Sequence, residues 1–219
     1  MESPAAILGA VVLAAGEARR MDGRAKPLIE RDGVPLVRRV AQALLDAGVD
    51  EVVVVIGHRS DEVAWAVHDL PVLVVVNEDY AVGHVRSLRM GLAAMPETVT
   101  AVLVALADQP LLEAADLRAV IHAWASRGPA RAVVPRVQQR RGHPVMLDAS
   151  ACAEILRGDA GYGAREWLDE HPDDVAWLDS DNLHYVEDVD FPEDLERIAQ
   201  RHGCSMRWPQ GAGAEVHKR

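Results

Sequence analysis

Short apolar runs alternate with helix-forming stretches in the first half of the chain, and this alternation limits the fold more than any other feature. The runs are rich in Val and Leu, which is typical of parallel strands buried on both faces. Strands are expected at residues 7–14, 52–56, 72–76 and 102–107. Helices are expected at residues 36–47, 61–69, 87–95 and 113–125. The pattern predicts a doubly wound, mostly parallel sheet between two helical layers, a Rossmann-like three-layer α/β/α fold.

The second half of the chain has shorter elements, which we interpret as an elaboration of the same sheet. Strands are expected at residues 132–135, 144–147, 175–178 and 184–186, and helices at 151–157, 164–170 and 192–201. Beyond Gly203 the sequence contains Gly, Pro and charges without periodicity. We therefore predict one domain over residues 1–203 and a flexible tail over 204–219.

Charge and composition exclude several classes of function. The chain has 23 Lys and Arg against 34 Asp and Glu, a net charge of −11, which disfavours a nucleic acid partner. No apolar stretch approaches the roughly 20 residues that span a bilayer, so no membrane association is expected. The two cysteines, Cys152 and Cys204, lie far apart and outside any zinc-binding spacing. With no signal peptide in the sequence, we expect a cytoplasmic protein.

The loop after the first strand, LAAGEARRMDGRAKPL, is the first candidate binding site. Ligands of open α/β sheets bind at the carboxyl ends of the strands. The small residues of this loop allow backbone amides to approach phosphate oxygens, and its cations add positive charge; these residues are Ala14, Ala15, Gly16, Arg19, Arg20, Arg24 and Lys26. Neither the Rossmann nor the Walker glycine pattern is present. On spacing alone, an exposed turn with solvated cations is an equal alternative.

Six segments together resemble a known family. LAAGEARRMDGRAK is similar to the LAAGxxxRMGxxK signature of nucleotidyltransferases related to molybdenum cofactor cytidylyltransferase. Five further matches follow in the family's order, namely VGHVRSLRMGL, LADQPL, RRGHPVML, GDAGYGAR and DVDFPEDL. The resemblance covers about residues 11–199. It implies a nucleotidyltransferase fold and an enzyme that uses Mg²⁺.

The resemblance assigns the nucleotide site to Leu13, Ala14, Ala15, Gly16, Arg20, Lys26 and Ser87. Arg20 and Lys26 would hold the triphosphate, and both count as catalytic: the arginine grips nonbridging oxygens, and the lysine offsets negative charge on the leaving pyrophosphate. LAAG accompanies cytidine nucleotides in this family, whereas the guanylyl branch has LAGG, so CTP is favoured. The family's Ser-rich GMSSSLxxGL is replaced by GHVRSLRMGL, which leaves GTP open as the alternative.

Two carboxylates are candidate magnesium ligands. Asp108 ends a strong apolar strand in LVALADQP, at the same sheet edge as the opening loop. DVDFPEDL offers Asp188 and Asp190, of which the resemblance assigns the metal-binding role to Asp190. The alternative for both is helix capping, and for Asp190 the following Phe191 and Pro192 make a cap an equal choice. Asp108 is expected to be catalytic as well as a ligand.

The acceptor site is assigned by the resemblance to the run Arg140, Arg141, Gly142, His143 and Pro144, whose basic residues suit a phosphorylated acceptor. Gln109 and Arg165 are further candidates. A structural hydrogen bond at a strand start is the alternative for His143.

The resemblance thus implies transfer of CMP from CTP to a phosphorylated acceptor, namely molybdopterin or molybdenum cofactor, with release of pyrophosphate and delivery to a molybdoenzyme partner. Two other enzymatic hypotheses remain, a sugar or polyol phosphate acceptor and the use of GTP. A third hypothesis, from a different class, is a maturation factor that binds a nucleotide-bearing cofactor without catalysis.

Overall fold

A mixed sheet of eight strands forms the centre of the protein. The computed structural model describes residues 6–16, 21 and 23–209. The strands are β1 (Leu8–Ala14), β2 (Glu30–Arg31), β3 (Val34–Pro35), β4 (Glu51–Ile56), β5 (Leu73–Val76), β6 (Ala101–Leu106), β7 (Ala132–Val137), β8 (Arg140–Arg141), β9 (Val145–Asp148), β10 (Val175–Asp179) and β11 (Met206–Arg207). The helices are α1 (Leu36–Asp46), α2 (Ser60–Ala66), α3 (His84–Ala93), α4 (Ala114–Ala125), α5 (Ala149–Arg157), α6 (Ala164–Glu170) and α7 (Pro192–His202).

The strand order of the main sheet is β10-β7-β9-β6-β1-β4-β5, with β8 paired to β7. Strand β9 is antiparallel to both of its neighbours, and the other strands on this path run in one direction. The short strands β11, β2 and β3 form a separate antiparallel sheet. The predicted doubly wound, mostly parallel α/β/α fold is confirmed.

Helices cover both faces of the main sheet because its central strands are apolar on both sides. In β1, Ala10 and Val12 face one core with α1, α2 and α4, whereas Val11 faces the other core with α3, α5 and α6. Helix α3 approaches β1 closely at Gly91, where a Cβ atom would lie 2.5 Å from a methyl group of Val11. This close packing brings the N-terminal turns of α3 to the carboxyl end of β1.

Two sequence-based predictions need correction. The strand expected at 184–186 is a 3-10 helix, Leu183–Tyr185, because the Asn182 side chain accepts a hydrogen bond from the His184 amide at 3.1 Å and starts a turn. The flexible tail was expected from residue 204, but Met206–Arg207 pair with β2, and the Asp32 amide donates to the Ser205 carbonyl at 2.9 Å. A two-residue strand has no periodicity by which to recognise it. The rest of the tail prediction, residues 210–219, lies outside the described residues.

No helix in the described ranges has both the length and the apolar character needed to cross a bilayer. The two cysteines of the chain are free. The domain limit at residue 203 stays a prediction.

Candidate active site

The candidate site includes Lys26, which contacts two carboxylates. Lys26 begins a one-turn 3-10 helix, Lys26–Leu28, which is anchored by the buried side chains of Pro27 and Leu28. The Lys26 ammonium donates a hydrogen bond to Asp190 Oδ1 at 2.7 Å and lies 3.6 Å from Asp108 Oδ2. Three segments that are distant in sequence therefore meet at one nitrogen atom.

Asp108 follows β6 at the carboxyl edge of the sheet. Its side chain is 26% exposed, yet its Oδ1 atom is enclosed and has no hydrogen-bond partner among the described residues. Burial raises the pKa of Asp108 to about 6; Lys26 opposes this rise, and Asp188 and Asp190 add to it. An enclosed carboxylate oxygen without a hydrogen-bond partner is costly, and a cation would offset that cost.

Asp190 is not a helix cap. The N-cap of α7 is Phe191, whereas the Asp190 side chain, 44% exposed, points to Lys26. The pKa of the neighbouring Asp188 is raised by burial and then by Asp190. Asp108 is not a cap either, since α4 is capped by Glu113. The structure thus removes the capping alternative for both candidate ligands.

A cavity of about 550 Å³ lies next to Asp108 and is called the main cavity below. Four predicted nucleotide-site residues, one predicted metal ligand and two predicted acceptor residues line it: Leu13, Ala15, Gly16 and Ser87, then Asp108, then His143 and Arg165. Ala14 and Lys26 line a smaller adjoining cavity of about 130 Å³ that shares Leu13, Gly16 and Asp108. Arg20 lies outside the described residues, so its predicted role stays untested.

A hydrogen bond from a buried side chain holds Ser87 in place. The buried Asn77 side chain donates a hydrogen bond to Ser87 Oγ at 2.9 Å. A hydroxyl that accepts one hydrogen bond can still donate its own proton to a ligand. Asn77 is not among the residues predicted from the sequence, although its place directly after an apolar strand is a recognisable signal.

The predicted acceptor residues gather around a second cavity of about 420 Å³. Arg141, Gly142, His143 and Arg165 line it, and His143 and Arg165 also line the main cavity. Gly142 has no room for a side chain, because a Cβ atom would lie 2.6 Å from the Tyr185 carbonyl oxygen. The two cavities share His143, Ala164 and Arg165 in their walls.

His143 also makes the structural hydrogen bonds of the alternative interpretation. Its amide donates to the Tyr185 carbonyl at 2.8 Å, and its Nδ1 lies 3.3 Å from the Val104 carbonyl oxygen. Burial lowers the pKa of His143, and the charge of His84 lowers it further. A neutral imidazole at this point presents Nε2 as an acceptor when Nδ1 carries the proton.

Three other predicted acceptor residues, Gln109, Arg140 and Pro144, do not line these cavities. Gln109 is 2% exposed, and its amide nitrogen donates to the Tyr185 carbonyl at 3.0 Å. Pro144 is buried. Arg140 and Arg141 are engaged too: Arg140 donates to the Val186 carbonyl at 3.1 Å, and Arg141 donates to Asp169 at 2.6 Å. Their predicted contacts with an acceptor stay predictions.

Tyr80, His84 and Ala164 also line the main cavity and were not predicted as site residues. His84 begins α3 within the segment that departs from the family's Ser-rich pattern. Its place on the cavity wall means that this departure lies where a nucleotide or an acceptor would bind.

The sequence match extends over most of this architecture. The family model for the MobA-like NTP transferase domain matches residues 10–175, which carry the loop after β1, Lys26, Asp108 and the run around His143. This chain belongs to that family. The match ends before Asp190, so that carboxylate is placed by the structure and not by the family model.

Curated relatives of similar length carry different names. The chain is 35% identical over 199 residues to a nicotine blue oxidoreductase of Paenarthrobacter nicotinovorans, covering 86% of this chain and 94% of that protein. It is 34% identical over 198 residues to a probable molybdenum cofactor guanylyltransferase of Natronomonas pharaonis, covering 87% and 96%.

Solved structures agree with the fold. Rv0371c from Mycobacterium tuberculosis H37Rv superposes with a TM-score of 0.77 at 26% identity, over 90% of this chain and 100% of that one. A complex of the same protein with manganese has a TM-score of 0.68 at 27% identity, with the same coverage. A relative of this chain thus binds a divalent cation.

Proposed function

We propose that this protein is a Mg²⁺-dependent cytidylyltransferase that transfers CMP from CTP to a phosphorylated acceptor, molybdopterin or molybdenum cofactor, and releases pyrophosphate. The observation that carries the proposal is the contact of one ammonium group, on Lys26, with both Asp108 and Asp190; Lys26 and Asp108 line the smaller cavity that adjoins the main one, and Asp108 lines both. A cationic group in contact with two carboxylates next to a cavity supplies the parts that a metal–triphosphate complex requires.

The residues present fit a magnesium ion. Asp108 Oδ1 is enclosed without a partner among the described residues, and Asp190 Oδ1 lies 2.7 Å from the Lys26 nitrogen that also contacts Asp108. Magnesium is commonly bound by one or two carboxylates plus substrate phosphates. When bound, Mg²⁺ would neutralise charge on the phosphates.

The chain itself binds and orients the reactants. Lys26, together with Arg20, would hold the triphosphate, and the ammonium of Lys26 offsets charge on the departing pyrophosphate. An acceptor phosphate oxygen attacks the α-phosphorus while the bond to the β-phosphate oxygen breaks in line. That oxygen keeps the bonding electron pair. No general base is needed, because the attacking phosphate is already ionised at neutral pH.

Support for the finer assignments differs in kind. The LAAG sequence and the cavity position of Ser87 favour CTP, whereas the name of the guanylyltransferase relative keeps GTP as the competing nucleotide. For the acceptor, the presence of His143 and Arg165 in the walls of both cavities favours a phosphorylated molecule large enough to fill the second cavity. A sugar or polyol phosphate is the alternative, and the cytoplasmic location and the molybdoenzyme partner stay predictions.

The test is turnover with authentic acceptor. Purified protein is mixed with Mg²⁺, molybdopterin and each of the four NTPs, and pyrophosphate release is measured. We expect release with CTP above all others and none without acceptor. Highest release with GTP would overturn the base assignment, and CTP binding without any pyrophosphate release would favour the non-catalytic maturation factor.

A second candidate is an oxidoreductase, favoured by the name of the relative that is 35% identical over 86% of this chain. The same protein preparation is tested for reduction of nicotine blue with reduced nicotinamide dinucleotides as generic hydride donors. Dye reduction that persists in Asp108→Asn, combined with no pyrophosphate release by the wild type, would replace the nucleotidyltransferase proposal.

A further inference from the structure

Helix α7 forms hydrogen bonds with the segment that carries Asp190, and its residues do not line the cavities described above. Asp194, in the first turn of α7, accepts hydrogen bonds through Oδ2 from the backbone amides of Asp190 and Phe191, both at 2.8 Å. Its Oδ1 accepts from Arg197, from Nη2 at 2.8 Å and from Nε at 3.2 Å. The backbone at Asp190 therefore rests on a carboxylate that Arg197 orients.

A second attachment lies three residues before Asp190. Glu187 is only 6% exposed, and its carboxylate is bound by three cationic or ring nitrogens from α7. Arg197 Nη1 lies at 2.6 Å, His202 Nε2 at 2.9 Å and Arg201 Nη1 at 3.3 Å. Arg197 is the side chain that touches both Glu187 and Asp194, so it joins the two attachments.

The third attachment points inward. The Val189 amide donates to the carbonyl of Asp108 at 3.1 Å, and the Val189 side chain is fully buried in a core with Ile198 of α7. The segment 187–191 is thus held to Asp108 on one side and to α7 on the other. Any shift of α7 relative to this segment would change the separation of the Asp108 and Asp190 carboxylates.

We propose that Arg197 is a positioning residue for the metal-binding carboxylate pair: by joining Asp194 to Glu187, it sets where Asp190 stands relative to Asp108. The inference rests on the proposed function, in which these two carboxylates hold the divalent cation. Arg197 does not line the cavities described above and acts through Asp194.

The expected effect is on metal affinity more than on nucleotide affinity. Magnesium requires near-octahedral geometry at about 2.0–2.1 Å, so a small displacement of one carboxylate weakens its binding. Loss of a group that orients a metal ligand typically weakens metal binding by about 10–100-fold. The described residues of the loop after β1 make no hydrogen bond or ion pair with Arg197, so the nucleotide affinity that they provide should be kept.

The experiment measures Mn²⁺ binding in the presence of CTP by electron paramagnetic resonance, which needs no turnover. The variants are Arg197→Met, Arg197→Lys and the matched control Arg201→Met, which loses a contact with Glu187 but none with Asp194. We expect Arg197→Met to weaken Mn²⁺ binding about tenfold and the control to stay within about twofold of wild type. Arg197→Lys should fall between, because one ammonium cannot replace a guanidinium that binds two carboxylates.

In activity assays, Arg197→Met should raise the Mg²⁺ concentration for half-maximal rate, while the KM for CTP at saturating Mg²⁺ stays unchanged. Equal Mn²⁺ affinity in Arg197→Met and Arg201→Met would overturn the positioning role. If circular dichroism shows that Arg197→Met is unfolded, the comparison of Arg197→Lys with Arg201→Met decides. Should Asp190→Asn bind Mn²⁺ as well as wild type does, the proposed metal site itself is wrong, which is a different failure.

Discussion

Two aspartates that follow β6, Asp108 and Asp116, have opposite surroundings. Asp116 has every oxygen occupied: Oδ2 accepts from the Glu113 amide at 2.9 Å and from His184 Nδ1 at 2.8 Å, and Oδ1 accepts from Asn182 at 2.7 Å. Asp108 has an enclosed oxygen with no partner in the part of the chain that the structure describes.

The pKa values of these two carboxyls follow from that difference. Burial alone would raise the pKa of Asp116, but hydrogen bonds from His184 and the Glu113 backbone outweigh it and hold the pKa below its usual value. At Asp108 burial prevails and raises the pKa to about 6. Hydrogen bonds satisfy both oxygens of Asp116, the carboxylate that stabilises the fold. At Asp108, the carboxylate that we propose to bind a ligand, one oxygen has no hydrogen-bond partner among the described residues.

The largest expected effect of breaking this contrast is at Asp108. Asp108→Asn should lower turnover by at least about 10²-fold, because it removes a charge that acts on the phosphates. Its free energy of unfolding above pH 6 should be no lower than that of wild type, because the variant removes a buried charge. Steady-state kinetics and urea unfolding test both halves, with the exposed Asp173→Asn as control. Near-normal rates at saturating Mg²⁺ would remove Asp108 from the mechanism.

Asp116→Asn should have the opposite effects, a lower free energy of unfolding and a nearly unchanged kcat/KM. The substitution removes a buried charge that three donors satisfy, and we expect a loss of about 1–3 kcal/mol in the free energy of unfolding. The kcat/KM measured well below the unfolding temperature should stay within about twofold of wild type. A large loss of kcat/KM in a folded Asp116→Asn protein would show that the two carboxylates do not divide their roles as described.

The smallest effect is the pH dependence of the Asp116–His184 pair. The hydrogen bond to Asp116 raises the pKa of His184 above 6.5, so its contribution to stability is present below that pH and is lost as pH rises through the raised pKa. The contribution of Asp116 is present above pH 3.8 and is lost as pH falls through its lowered pKa. The pair therefore stabilises most between pH 3.8 and 6.5.

His184→Gln measures this window. The difference in free energy of unfolding between wild type and variant, up to about 1 kcal/mol at about pH 5, should shrink at about pH 8.5. Urea unfolding at both pH values provides the check. A difference that grows with pH would mean that neutral His184 is the form that stabilises the fold.

Several parts of the fold were predictable from local sequence, and several were not. The first four strands of the main sheet and the position of Asp108 after one of them follow from apolar runs and their polar ends. Burial of the third run does not follow, because β5 lies at the sheet edge and is partly exposed. The run at 184–186 was misread as a strand because a short apolar stretch carries no period, and the Asn182 side chain decides its turn. The strand β11 could not be predicted either, because two residues carry no period and the strand forms by pairing with β2.

The choice between ligand and cap for Asp190 was open in the sequence, because an Asp shortly before a Pro suits both. The sequence by itself determined that strands alternate with helices and that small and basic residues follow the first strand, because periodicity and loop composition are local properties. Only the tertiary structure decided that Lys26 meets Asp190, 164 positions away, and that Asp108 stays short of partners. Such contacts depend on the order in which strands join the sheet, which hydrogen bonding between distant segments sets.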